Sequence, residues 1–296
     1  MRQLTDDKAV TTVRQFLNVF KPRICAAITL CAIAGMAVTP GVSLPAWKIA
    51  ALVFAVFLSS AAAAAFNQYA ERDLDGRMPR TRNRPFATGV YHAGRRWLAA
   101  IGFILAVAVG GAAWVLNAHV ALYVFLGAFV YGIVYTLWLK QRSVWNIVIG
   151  GLAGSFAVLA GAAAITPDLA PASVLLAITL FLWTPPHFWS LAMSLHEEYA
   201  AAGIPMLPVV VGDAAASRII LAHTIAVVLV SLLPIAVGSG VIYLAGALAG
   251  GGFFVLRSIA LVRDPGPMTA KSNFHASLVQ LCLLLIAAII DGSLNR

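Results

Sequence analysis

The chain has 296 residues, 61% of them hydrophobic and only 10% charged, with a mean hydropathy of +0.90 and a formal net charge of +9. Apolar runs of about twenty residues, the length that carries a helix across the hydrocarbon core, make this a polytopic helical membrane protein and exclude a soluble globule. The positive balance calls for no nucleic-acid partner, because loop charges that set topology and attract anionic lipid account for it.

Nine spans are predicted, at about 24–40, 47–68, 97–116, 119–139, 145–165, 172–194, 217–237, 240–260 and 275–291. Ahead of them, residues 1–23 form a cytoplasmic N-terminal segment within a single domain, 1–296. Ala32-Ile33-Ala34 has the form of a leader cleavage site, but the long stretch before the apolar run and the step Lys21-Pro22-Arg23 favour a first-span anchor. Of the 20 lysines and arginines, this segmentation places all but Lys48 and Arg296 on one side. The excess marks the cytoplasmic face, so the N-terminus is expected inside and the C-terminus outside. Cys25, Cys31 and Cys282 fall within apolar segments without a Cys-x-x-Cys pair, and read as structural.

The second span runs into Asn67-Gln68-Tyr69-Ala70-Glu71-Arg72-Asp73-Leu74-Asp75, followed by Arg77, Arg80, Arg82 and Arg84, a density of charge found nowhere else in the chain. If the helix persists, Asn67, Glu71 and Asp75 recur every four residues and share one face, while Asp73 points elsewhere. Such an oxygen set suits Mg²⁺, which takes one or two carboxylates and fills its shell with water and substrate phosphate oxygens. A solvated helix end is the plain alternative, set against the rule that ionisable groups beside a membrane helix mark functional cavities. The arginines serve topology, diphosphate recognition through their planar forks, or both. The loops 69–96 and 195–216 are the two long enough to act as lids.

Further along, the fourth span carries the stripe Tyr131, Tyr135 and Trp138 and ends at Lys140 and Arg142, a second cationic group near the same face. Aromatic stripes usually serve packing, but their faces also stabilise cations. Gly150-Gly151-x-x-Gly154 opens the fifth span as a small-residue helix contact. In the sixth, Pro185-Pro186 is expected to break or kink the helix and place His187 on the cavity side. Beyond it, His196-Glu197-Glu198 offers Glu197 and Glu198 as candidates for a second metal site. A shift of 123 residues lays Asp75 on Glu198, Pro85 on Pro208, Gly89 on Gly212 and Arg95 on Arg218, which suggests a 4+4+1 parallel repeat around a central cavity. A divalent metal and arginines above an apolar bundle describe an enzyme that ionises a prenyl diphosphate and passes the cation to a hydrophobic acceptor.

Asn67-x-x-x-Glu71-x-x-x-Asp75 resembles the first Asn-x-x-x-Asp-x-x-x-Asp motif of the UbiA superfamily of membrane prenyltransferases, with Glu in the middle place. The fuller run from Asn67 to Pro85, with Lys21-Pro22-Arg23, Asn146 to Gly151, Trp183-Thr184-Pro185-Pro186-His187-Phe188-Trp189 and Ala202 to Val210, is similar to the branch that modifies haem. The resemblance covers most of the chain. It implies transfer of a farnesyl group from farnesyl diphosphate to a vinyl group of haem B in the bacterial inner membrane, with water added, giving haem O. It casts Asn67, Glu71 and Asp75 as ligands of Mg²⁺, Arg80, Arg84, Lys140 and Arg142 as diphosphate contacts, and His187 as a candidate on the haem side. Haem A synthase or oxidase assembly proteins are the partners it suggests. Two departures stand out. The second Asp-rich motif is absent as such, and Gly154-Ser155-Phe156-Ala157-Val158 stands where that branch usually carries Phe-Pro-Pro.

Two other classes compete. A carrier or haem-handling membrane protein also has repeated halves and a kinked helix, but would be expected to place more polar groups within its spans. An alcohol phosphotransferase shares the step Asp75-Gly76 and lacks the downstream Gly-x-x-x-Asp-x-x-x-Asp run.

Overall fold

A bilayer leaves backbone N–H and C=O groups no partner but their own segment, so apolar stretches of this length have helix as their one outcome. The structure is a computed structural model that describes residues 15–294, and among these every regular element is helical. The order is α1 (Pro22–Ala37), α2 (Ala46–Ala70), α3 (Arg72–Asp75), α4 (Arg95–Val115), α5 (Ala118–Phe129, continuing as a π-helix over Val130–Leu139), α6 (Asn146–Gly150), α7 (Leu152–Ile165), α8 (Pro171–Ser194), α9 (His196–Ala201), α10 (Leu207–Val211), α11 (Asp213–Leu232, tightening to a 3₁₀ turn over Leu233–Val237), α12 (Val241–Arg263) and α13 (Pro267–Leu294). Among the described residues eight helical runs are long and apolar enough to cross a membrane, and α1 is a shorter apolar helix of 16 residues. The chain is an integral membrane protein. Arg2, Lys8, Arg14 and Arg296, which entered the sorting by side, lie outside the described residues.

The elements depart from the predicted spans in three informative places. The last helix begins at Pro267, well before residue 275, because its polar start is buried. Asn273 donates from Nδ2 to Ser190 Oγ at 2.9 Å and accepts from Ser258 Oγ at 3.0 Å, and Ser258 meets Thr224 at 3.0 Å. This polar string ties α8, α11, α12 and α13 together, so low hydropathy there reflects an interface. The fifth span is divided at Gly151 between α6 and α7. In α8 the helix runs through Pro185 and Pro186, so of the expected break or kink the pair makes no break. Pro cannot donate to the carbonyl four residues back, yet neighbouring helices support the segment: Trp183 Nε1 donates to the Ser277 carbonyl at 3.0 Å.

Helices consecutive in the chain pack side by side, and α1 closes the bundle against α2, α7 and α13. The α1–α7 crossing is tight because both sides are small. A Cβ on Gly161 would lie 1.8 Å from the Ala32 carbonyl oxygen, and one on Gly35 2.1 Å from that of Val158. Backbone approach of this kind is how membrane helices gain contact where lipid offers no hydrophobic drive. Gly161→Leu is therefore expected to cost about 3 kcal/mol or more and to eliminate the monodisperse peak in size-exclusion chromatography after detergent extraction. At the end of the bundle where α13 finishes, Asp291 accepts from the Gly240 N–H at 2.7 Å and so caps α12 from another helix. Asp291→Ala is expected to lower stability by about 1–2 kcal/mol, read from thermal unfolding in detergent.

Candidate active site

At the other end of the bundle, α2 ends without losing its register. Glu71 leaves helical values (φ −93°, ψ 9°), but its N–H still reaches the Asn67 carbonyl at 2.9 Å, and the Asp75 N–H reaches the Glu71 carbonyl at 2.7 Å. The four-residue spacing survives into the single turn of α3. Asn67, Glu71 and Asp75 are all buried, whereas the Asp73 side chain is 83% exposed beside Arg72.

Each of the three buried groups holds a partner from elsewhere. Lys21 Nζ donates to Asn67 Oδ1 at 2.8 Å, and Asn67 Nδ2 donates to Thr136 Oγ1 at 3.1 Å. Lys140 pairs with Glu71 Oε2. Arg84 Nη1 donates to both oxygens of Asp75, at 2.8 and 2.9 Å. The π-helix explains how one segment supplies two of these contacts. Its i→i+5 bonds, seen from the Lys140 N–H to the Tyr135 carbonyl at 2.9 Å, widen the turn. Tyr131, Tyr135, Thr136 and Lys140 then face the site together, and the two tyrosine rings stack at 5.6 Å with Lys140 Nζ 6.0 Å from the Tyr135 ring centre. The α-helical stripe predicted from sequence included Trp138. The wider turn removes it, and Trp138 is exposed.

Two electrostatic features fix the character of the site. Burial, reinforced by the Arg84 cation, pushes the Lys21 ammonium down to about 7; Lys140 adds to this, and Glu71 and Asp75 oppose it. Burial likewise raises the Tyr199 phenol, with Arg80 lowering it and Glu71 raising it, so both charges act on this residue of α9. Glu71 Oε1 is buried with no hydrogen-bond partner. An orphaned carboxylate oxygen beside an amide oxygen and a second carboxylate suits a hard divalent cation such as Mg²⁺.

The remaining predicted residues are distributed unevenly. Arg80 and Arg142 are exposed near this end, and Glu197 is exposed on α9. Glu198 turns one buried, unpartnered oxygen inward. Among the described residues no group of three or more His, Cys, Asp or Glu side chains is gathered as if for a metal ion. His187 is buried between the rings of Trp183 and Phe274, at 4.2 and 4.5 Å, and its Nδ1 meets Ser277 Oγ at 2.7 Å. Both faces of the imidazole are thus taken by packing of α8 on α13. Lys21, Thr136 and Tyr199 are site groups that motif spacing did not single out. For Lys21 the sequence signal was the step Lys21-Pro22-Arg23 at the mouth of an apolar run, which gave it no site role.

Below Lys21, an apolar cavity runs into the bundle between α1, α2, α5 and α7, with Ile28, Val56, Tyr123, Tyr131 and Ala160 among its walls. Gly150 lets α6 lie against the Tyr135 ring, where a Cβ would stand 2.9 Å from Cδ2. A polar head with paired cations thus sits at the mouth of an apolar slot.

The model of the UbiA prenyltransferase family matches residues 28–279. The chain is 58% identical over 274 residues to protoheme IX farnesyltransferase 2 of Paramagnetospirillum magneticum, covering 93% of this chain and 95% of that one. It is 47% identical to protoheme IX farnesyltransferase 1 of the same organism, over 95% of this chain and 99% of the relative. Among solved structures, a digeranylgeranylglyceryl phosphate synthase superposes with a TM-score of 0.78 at 17% identity, covering 95% of this chain and 98% of the other. A UbiA homologue from Archaeoglobus fulgidus bound to DMAPP and Mg²⁺ superposes with a TM-score of 0.70 at 16% identity, covering 93% and 99%. These two likenesses concern the fold.

Proposed function

The chain belongs to the UbiA prenyltransferase family, and from that premise we infer that it transfers a farnesyl group from farnesyl diphosphate to a vinyl group of protohaem IX, making haem O. The observation that carries this reading is the buried row Asn67, Glu71 and Asp75, ringed by Lys21, Lys140 and Arg84 at the mouth of an apolar cavity. Asn67, Glu71 and Asp75 would hold Mg²⁺, which neutralises charge on the departing diphosphate. Arg84, Lys140, Arg80 and Arg142 receive the diphosphate, the guanidinium groups through paired N–H donors. Lys140 and Arg84 balance the two carboxylates, and the protonated form of Lys21 makes the pocket positive, matched to an anionic head group. The stacked Tyr131 and Tyr135 offer their faces to the allylic cation, and the apolar walls keep water from it until the vinyl carbon has attacked. The C–O bond of farnesyl diphosphate breaks, the terminal vinyl carbon bonds to the farnesyl carbon, and water adds to the adjoining carbon with loss of a proton.

The finer features follow the same reading. Lys21 touches the end of α2, and α2 begins at the opposite end of the bundle, so α1 spans the distance between them and counts as the first of nine crossings. Residues 69–96 and 195–216 lie over the site as lids, the second anchored by His196 Nδ1 against Asp213 at 2.8 Å. Gly89 and Gly212, equivalent under the 123-residue shift, share positive φ values of 78° and 79°, which supports the 4+4+1 repeat. The site end faces the cytoplasm, with the N-terminus inside and the C-terminus outside. Haem A synthase or oxidase assembly proteins would take the product. Purified protein given haem B, farnesyl diphosphate and Mg²⁺ is expected to yield a haem of the mass of the hydroxyethylfarnesyl adduct. An unchanged haem mass from folded protein would refute the assignment, and haem crossing proteoliposomes unmodified would replace it with a carrier.

A further inference from the structure

Lys21 is the one non-glycine residue with positive φ among the described residues, at φ 49° and ψ 56°. A left-handed conformation costs a residue that carries a Cβ about 1–2 kcal/mol, and such strain persists where surroundings hold it in place. Here they do. Pro22 fixes the entry to α1, and Gln68, one residue beyond Asn67, donates from Nε2 to the carbonyls of Asn18 at 2.8 Å and Val19 at 3.2 Å. The segment before α1 is thereby strapped to the end of α2, and the turn at Lys21 aims its amine at Asn67 Oδ1. Thr136 holds the other side of the same amide, so that Oδ1 is the atom presented. Lys21 also heads the wall of the apolar cavity, between the acidic row and the tail slot.

The contact falls on an oxygen with a second use. Asn67 Oδ1, the Glu71 carboxylate and the Asp75 carboxylate offer the oxygens a divalent cation would take; Lys21 occupies the first, Lys140 one oxygen of Glu71 and Arg84 both oxygens of Asp75. Ammonium donors and a metal cannot share an oxygen at full strength, and a metal arriving alone adds positive charge beside three cations. A diphosphate removes both obstacles by giving the displaced donors new acceptors.

We propose that Lys21 is a positioning residue that competes with the divalent metal for Asn67 Oδ1 and turns to the diphosphate when the metal takes that oxygen, so that metal and diphosphate are admitted together. The proposal rests on the reading of Asn67, Glu71 and Asp75 as metal ligands, and adds a residue from α1 to the diphosphate side.

The test uses the full chain in detergent, with Mn²⁺ as probe followed by electron paramagnetic resonance, and then the preformed complex of Mn²⁺ with inorganic diphosphate followed by calorimetry. Lys21→Gly keeps the left-handed backbone without strain, and Lys21→Met keeps the length of the side chain without its donor. Both are expected to bind Mn²⁺ alone about three- to tenfold more tightly than the wild type, the scale of one hydrogen bond, and the Mn²⁺–diphosphate complex about tenfold more weakly. Opposite movements of the two affinities cannot come from a damaged fold, which would weaken both. Unchanged or weaker binding of Mn²⁺ alone in both variants, or unchanged binding of the diphosphate complex, overturns the proposal while leaving the metal ligands intact. If Asp75→Asn leaves Mn²⁺ binding in the presence of diphosphate unaltered, the ligand assignment and this proposal fall together.

Discussion

Asp75→Asn is expected to reduce formation of farnesylated haem by about 100- to 1,000-fold, the scale on which removal of one preorganised charge at a reacting centre acts. Three properties of the residue make the effect large. Its carboxylate is buried, it sits at the end of the four-residue row, and it takes both hydrogen bonds of Arg84. Asparagine preserves the shape and one acceptor, so Arg84 retains a contact and the turn at Thr81, whose hydroxyl donates to the Asp75 backbone carbonyl at 3.0 Å, is untouched. What goes is one negative charge facing a cationic site. The variant should therefore remain folded in thermal unfolding while haem product, separated by reversed-phase chromatography and weighed by mass spectrometry, nearly disappears. Product above about a tenth of the wild-type level would show that the row does not hold the metal.

Much of this was legible in the chain, and what escaped shares a cause. Hydropathy located the helices because a bilayer permits no other element, and spacing alone put Asn67, Glu71 and Asp75 on one face and sent Asp73 away from it. The failures come where backbone geometry departs from the ideal helix. Trp138 was grouped with Tyr131 and Tyr135 on an α-helical period, but the π-helix turns a face more slowly, bringing in Thr136 and Lys140 and leaving Trp138 exposed. The left-handed turn at Lys21 has no compositional mark beyond the proline that follows it. Pro185 and Pro186 announced a break or a kink, and the helix continues through them where α8 packs on α13, the same packing that covers His187. The loops 69–96 and 195–216 end differently too, since Gly212 directly precedes α11 while Gly89 stands six residues before α4, although the two glycines share a positive φ.

Lys140→Met tests the other buried charge pair and separates its structural part from its chemical one. Glu71 is almost wholly enclosed, with one oxygen on Lys140 and the other without a partner, so removing the ammonium strands a carboxylate in a poorly solvated place. Breaking one side of a buried ion pair typically costs about 3–5 kcal/mol, and thermal unfolding of Lys140→Met in detergent should show a loss of that order. Glu71→Gln in the same chain removes the stranded charge. The double variant is expected to recover most of the lost stability, because a neutral amide beside a methionine has no unpaired ion to bury. Activity should follow a different course. Lys140 and Glu71 are assigned to opposite partners, the diphosphate and the metal, so the double variant should be at least as inactive as either single one. Recovery of both stability and haem product in the double variant would mean that the pair serves only to hold the π-helix against α2, and that the chemistry belongs elsewhere in the site. Recovery of stability alone would place Glu71 and Lys140 in the reaction, the carboxylate toward the cation that neutralises the leaving group and the ammonium toward the leaving group itself.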